Sequence, residues 1–345
     1  MKILSCTGLA LLILSLPLTL LQSCTTDTDS DSDVIGNWKR SEDFKGDPRS
    51  EAVSFVIDEK VYVGTGLFST NALYNNLFYR YDPDQGYWQE IAPFPGQTRR
   101  GAASFTLNGK AYVVGGYNGP DNKMLGDVWE YDPSKDLWSQ KDTFPGVPRR
   151  NAVAFSIGSR GYLATGYGTS SLSDLWEYNP ASDTWEEKAS IKGRKRSQAV
   201  AFVYDGKAYI CSGNNNGEVL TDLQMYDPNL NTWEEKRKLT NISDESYDDD
   251  YANISRYGAT AFVLNNKVYL ATGKSGSLLL DTWEYDPPTD QWIRKTSFEG
   301  MGREGAIAFT SKGRSFVLLG RSGTEPYDSM FEFFPYDEVD EYDNN

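Results

Sequence analysis

Asn108-Gly109-Lys110-Ala111-Tyr112-Val113-Val114-Gly115-Gly116 is the stretch that decides the fold. Arg99 and the apolar run Ala102-Ala103-Ser104-Phe105 precede it; Asp127-Val128-Trp129-Glu130-Tyr131-Asp132-Pro133 and Trp138 follow. Asn-Gly between two alternating runs predicts a tight hairpin, because glycine tolerates positive φ. Asp132-Pro133 ends a third strand, since proline cannot donate to a ladder. Trp138 marks a fourth, closing strand.

The pattern recurs. Trp38, Trp88, Trp138, Trp185, Trp233 and Trp292 are separated by 50, 50, 47, 48 and 59 residues. A four-stranded unit of this size cannot bury both faces alone, and radial stacking of such units buries them. The expectation is an all-β, six-bladed propeller of four-stranded blades over residues 35–337. The last repeat has strands at 306–309, 316–319 and 330–334 but no closing Trp strand. Ile35-Gly36-Asn37-Trp38 is a closing strand with no repeat before it. The N-terminal strand is therefore expected to complete the last blade and remove the open edge.

These repeats resemble those of the Kelch family, whose hallmarks are matched by Gly115-Gly116, Tyr131-Asp132-Pro133 and Trp138. Only the second blade keeps the double glycine; Thr65-Gly66, Thr165-Gly166, Ser212-Gly213 and Thr272-Gly273 replace its first member. A narrower stretch, Ala92-Pro93-Phe94-Pro95-Gly96 with Arg99 and residues 108–116, is similar to bacterial N-acetylneuraminate epimerases. That resemblance implies an exported six-bladed propeller that interconverts the anomers of sialic acid. It assigns the family's catalytic acid to no residue here.

The chain carries 22 Tyr, 16 Phe and 9 Trp, which suits strands. Its formal charge of -15 argues against a nucleic-acid partner. It has no His, so Ser-His-Asp and Cys-His catalysis and His-ligated zinc or copper are excluded. The copper chemistry of galactose-oxidase-type Kelch enzymes goes with them. No cofactor or metal is expected. Carboxylates, Tyr, Lys and Arg leave acid–base chemistry open.

Residues 1–23 read as an export signal, with Lys2 followed by the apolar run Leu9 to Leu21, too short for a comfortable membrane span. Leu21-Gln22-Ser23-Cys24 resembles a lipobox, which implies a lipid on Cys24; the alternative is ordinary cleavage near Ser23. Residues 24–34 alternate Asp with hydroxyl residues and read as a solvated tether. An acidic stretch at this place resembles the surface-export signal of Bacteroidetes lipoproteins and implies a protein facing outward from the outer membrane. Cys6 and Cys24 leave Cys211 alone in the mature blades, as a buried small apolar residue with no disulfide. Residues 338–345 read as an acidic, frayed tail.

One column stands out. Arg49, Arg99, Arg149, Arg196, Arg256 and Arg303 each lie three residues before the first-strand alanine. First strands line a propeller's channel, so a ring of guanidiniums at one mouth is expected. It would suit a carboxylate or phosphate. In the structural reading, each Arg pairs with a backbone carbonyl or a neighbouring carboxylate, with Glu51 and Glu304 adjacent. The loops on the same mouth offer Tyr117, Asn118, Tyr167, Asn214, Asn215, Lys274 and Arg321. The insertion around 243–251 should sit there too, as a cap, a cation site or a solvated loop. The third-strand aromatics Tyr79, Trp129, Trp176, Trp283 and Phe331 read as blade packing rather than sugar stacking. Two functions follow from the column: a non-enzymatic module for an anionic glycan, peptide or protein partner, or a mutarotase for an acidic sugar.

Overall fold

The computed structural model describes residues 34–68, 75–340, 342 and 344. The signal, Cys24 and nearly all of the tether lie outside the described residues. Six four-stranded antiparallel sheets form the blades. Blade 1 is Val53–Ile57, Lys60–Gly64, Phe78–Asp82 and Tyr87–Ile91, and blade 2 is Ala103–Leu107, Lys110–Asn118, Lys123–Asp132 and Leu137–Lys141. Blade 3 runs Val153–Ile157, Arg160–Ala164, Leu175–Asn179 and Thr184–Lys188; blade 4 runs Val200–Tyr204, Lys207–Cys211, Leu223–Asp227 and Thr232–Glu235. Blade 5 is Thr260–Leu264, Lys267–Ala271, Thr282–Asp286 and Gln291–Lys295.

Blade 6 closes as the repeat count requires. Ile307–Ser311, Arg314–Leu318 and Met330–Phe334 are joined at the outer edge by Asn37–Arg40, with Trp38 opposite Phe333. The closing strand starts two residues later than the sequence pattern placed it. Trp38 is fully buried against Phe262, Phe298 and Phe333. Asp337 accepts from the Gly36 N–H, the Asp340 N–H donates to the Asn37 side chain, and Asn344 bonds both Trp38 and Glu299.

Each closing Trp lies against the third-strand aromatic of its own blade, at 4.6–5.0 Å between centroids. The adjoining outer turn ties blades together. In blades 2 to 5 the third-strand tyrosine hydroxyl donates to Asp136, Asp183, Asn231 or Asp290. The same four side chains accept a backbone N–H from the preceding blade's outer edge.

Two closed circles of backbone hydrogen bonds hold the centre. In the first, Gly66, Gly116, Gly166, Gly213, Gly273 and Gly320 each donate to the carbonyl of the next blade's column arginine, at 2.7–3.0 Å. These glycines sit at φ between +84° and +107°. A Cβ at Gly273 would come within 2.8 Å of the Tyr257 carbonyl. The preceding position lies near φ +60°, where Thr65, Thr165, Ser212, Thr272 and Leu319 bear the strain that only Gly115 avoids. The first glycine of the pair is thus replaceable and the second is not.

Gly273→Ala should cost about 2–3 kcal/mol, from backbone strain and the clash together. Thr165→Gly, whose threonine hydroxyl has no partner among the described residues, should leave stability unchanged or raise it. Urea denaturation of the two variants reads this contrast; equal losses would overturn it.

Candidate ligand site at the propeller mouth

The column arginines do not face one another across the channel. Each is 0–1% exposed and folded into its own blade. Its Nε donates to the carbonyl two residues earlier, and its Nη1 to a carbonyl sixteen residues on, at the end of the second strand. In four blades a third-strand aspartate completes the set. Arg99 meets Asp127 at 2.6 and 2.7 Å, and Arg149 meets Asp174 through two bonds of 2.6 Å. Arg196 pairs with Asp222 and Arg256 with Asp281. Asp127, Asp174 and Asp281 also accept from the indole N–H of Trp129, Trp176 and Trp283. The expected ligand ring is therefore a set of internal braces. The overlooked signal was the Asp-x-Trp spacing, which supplies the counter-charge inside the blade. The third-strand aromatics serve that packing, as the sequence suggested.

Burial pushes the Asp127 and Asp174 carboxyls up, but the arginine bonds and charge outweigh it and hold both below the usual value. Blades 6 and 1 lack the aspartate, with Ser329 and Leu77 in its place. Burial takes Arg303 and Arg49 down to about 10, offset in part by Tyr327 and Tyr79. Both stay cationic at neutral pH, and Arg49 lies over the rings of Phe68 and Phe44.

The mouth is built instead from the residues that follow the column. Glu51, Gly101, Asn151, Gln198, Gly258 and Gly305, all at φ +53° to +64°, form the second circle; each N–H donates to the preceding member's carbonyl at 2.7–3.0 Å. They ring a cavity of about 130 Å³, floored by the first-strand alanines. Below it the channel continues as a cavity of about 200 Å³ lined by Ala, Val, Ser and Thr. Outside the circle, Arg100, Arg150, Ser197, Tyr257 and Glu304 bridge to Tyr117, Tyr167, Asn214, Lys274 and Arg321 respectively.

The loop residues do gather at this mouth, with two qualifications. Asn118 is buried and its amide donates to the Thr98 carbonyl, and Asn215 belongs to a short hairpin with Glu218. Arg100, Arg150, Lys274 and Arg321 oppose two carboxylates, Glu51 and Glu304. Glu51 lies 3.5 Å from Arg100 and 3.3 Å from Arg321; Glu304 lies 3.6 Å from Arg321 and 3.4 Å from Lys274. Arg150 has no carboxylate partner among the described residues. Its guanidinium sits 5.0 Å from the Tyr117 ring centroid and 5.7 Å from that of Tyr167. The second oxygen of Glu51, a residue of the cavity rim, is buried and has no partner among the described residues.

The insertion contributes nothing to either channel cavity. Tyr251 is buried against Trp283, and its hydroxyl bonds both the N–H and the carbonyl of Trp292. Asp248 is spent on the N–H groups of Ile242 and Ser243. No described group of acidic or Cys side chains is arranged to hold a metal. Cys211 is buried, which pushes its thiol up to about 12.

Fold and mouth together define a six-bladed propeller with a polar, largely cationic opening. The KLHDC2/KLHL20/DRC7 Kelch-repeats domain model matches residues 147–320 and the Kelch motif matches residues 98–145, so the chain belongs to the Kelch-repeat family. A solved structure titled "Structure of YjhT" is similar, with a TM-score of 0.70 and 16% identity over 84% of this chain and 95% of that one. No curated protein matches the chain.

Asp127→Ala leaves Arg99 buried and unpaired, so it should cost about 3–5 kcal/mol. A carboxyl held below its ordinary value of 3.8 adds stability above that pH, and the gain is lost as pH falls through the depressed native value. Asp127→Asn should accordingly flatten the acid limb of a stability–pH profile below about pH 4. An unchanged acid limb would show that the pair does not titrate with folding.

Proposed function

We propose that this protein is a binding module whose propeller mouth takes an anionic ligand: a carboxylate-bearing glycan, peptide or protein segment. The observation that carries the reading is Arg150, a guanidinium framed by two tyrosines at the rim and left without a carboxylate. It lies in a mouth of four cations and two carboxylates, on a chain of net charge -15. Arg is suited to bidentate carboxylate recognition, and the flanking phenols can add hydrogen bonds. The tether and lipobox reading adds a place for the module, displayed outward from the outer membrane on lipidated Cys24. Its partner is then the ligand at the mouth, and the membrane is touched through the lipid alone.

A second reading, mutarotation of an acidic sugar such as sialic acid, is favoured by Glu51. The residue lines the central cavity; one carboxylate oxygen is buried without a partner among the described residues, and the other is held by Arg100 and Arg321. With Arg150 holding the sugar carboxylate, Glu51 could take the anomeric hydroxyl proton and return it through the ring oxygen. The ring C–O bond breaks to give the carbonyl, then re-forms on the other face.

Calorimetry with sialic acid, uronic acids and neutral sugars tests both. The expected outcome is saturable binding of an acidic sugar, weakened tenfold or more by Arg150→Gln and steeply salt-dependent. Binding indifferent to Arg150→Gln would sink the mouth as the site. If Glu51→Gln keeps affinity but abolishes anomer exchange seen by NMR, the mutarotase reading holds. Absence of any exchange in the wild-type protein would eliminate it.

A further inference from the structure

We propose a second ligand site, at the hairpin end of the groove between blades 4 and 5, that takes a neutral sugar ring. Five blades place a tyrosine in the second strand, and it faces the third strand in fixed register: Tyr62 opposite Arg80, Tyr112 opposite Glu130, Tyr162 opposite Glu177, Tyr269 opposite Glu284, and Tyr209 opposite Met225. Where the partner is Glu, the phenol donates to it, at 2.7, 2.6 and 2.9 Å. Blades 1 and 4 lack that acceptor, with Arg80 and Met225 in its place. Tyr209 is 5% exposed, its ring is fixed 4.9 Å from Phe202, and among the described residues its hydroxyl has no hydrogen-bond partner. The hydroxyl is not cut off from solvent, so the groove presents it as a donor open to an acceptor from outside.

Two further positions break the repeat at the same place. The inner strand ends in an aliphatic residue or Ser311 elsewhere but in Tyr204 here. The residue after the third-strand proline is Asp84, Ser134, Ala181, Asn229 or Tyr336 elsewhere but Pro288 here. Tyr204, Tyr209, Met225 and Pro288 line one groove of about 650 Å³, with Asp205 and Asn266 on its rim. Small-molecule pockets span roughly 300–1,000 Å³. The equivalent groove of blades 1 and 2, about 510 Å³, has Tyr62 and the cation Arg80 where this one has Tyr209 and the apolar Met225. Lys207 already lies 3.4 Å from Asp227, so the blade 4–5 groove offers no unpaired cation for an anion. An apolar floor, the two phenols of Tyr204 and Tyr209, and a carboxylate and amide at the rim match a pyranose. Its C–H face would lie on Met225 and Pro288 and its hydroxyls would reach Tyr209, Asp205 and Asn266.

The test is calorimetry of the whole protein with cellobiose, maltose and lactose. At least one should bind saturably in the millimolar range, and Tyr209→Phe should weaken it about tenfold. Met225→Glu restores the residue of blades 2, 3 and 5; it should abolish binding while the melting temperature holds or rises. No saturation with any of the three sugars, or binding that neither variant changes, would overturn the site.

Discussion

Two concentric circles of backbone hydrogen bonds around the channel are the constraint on which everything else in this ring depends. Each blade gives its neighbour one N–H at the glycine after the second strand and one at the left-handed residue before the first strand. Because both circles close, no blade can tilt or slide without breaking bonds on both sides. The geometry demands positive φ at three positions per repeat. The second hallmark position is glycine in all six blades, at φ +84° to +107°, whereas the first, near φ +60°, is filled by Thr, Ser or Leu in five of them.

The buried arginine belongs to the same device. Its carbonyl accepts the glycine N–H from the previous blade, while its side chain reaches back to the carbonyls flanking that turn in its own blade. One residue thus ties the mouth turn, the loop between second and third strands, and the third strand together. A fully buried charge is tolerable only when its donors are met, and in four blades the aspartate meets them. Blades 1 and 6, adjacent through the closing strand, use aromatic faces instead of the aspartate. The mouth chemistry is left to the residues one and two places further on, whose side chains the brace holds in register.

Blade count, strand order and ring closure were legible because they rest on local chemistry repeated six times: Asn-Gly turns, Asp-Pro stops and closing tryptophans. The mouth was legible in part. Tyr117, Tyr167, Asn214, Lys274 and Arg321 were found because antiparallel order fixes which end a loop occupies. The arginine column misled because regular spacing says that a residue recurs and not which way its side chain turns. Its counter-charge lay 25–28 residues away, on the third strand, at a distance no local pattern spans. Arg100, Arg150 and Glu304 went unread as site residues for the opposite reason: they vary from blade to blade, and a search for repetition passes over them.

That contrast has a physical basis. In a ring of equivalent blades, what recurs is what the ring needs: strain-bearing turns, inter-blade bonds and internal braces. An identical residue in six places also cannot mark one bearing around the axis. A ligand that is not six-fold symmetric must be read by differences between blades. Glu51, Arg100, Arg150, Tyr257 and Glu304 supply such differences at one end, and Tyr204, Met225 and Pro288 at the other. Their cost in stability is small where the side chain projects into the mouth or a groove, because neither circle of backbone bonds passes through it. Departures from the repeat can therefore accumulate at both ends of the blades while the centre stays constant.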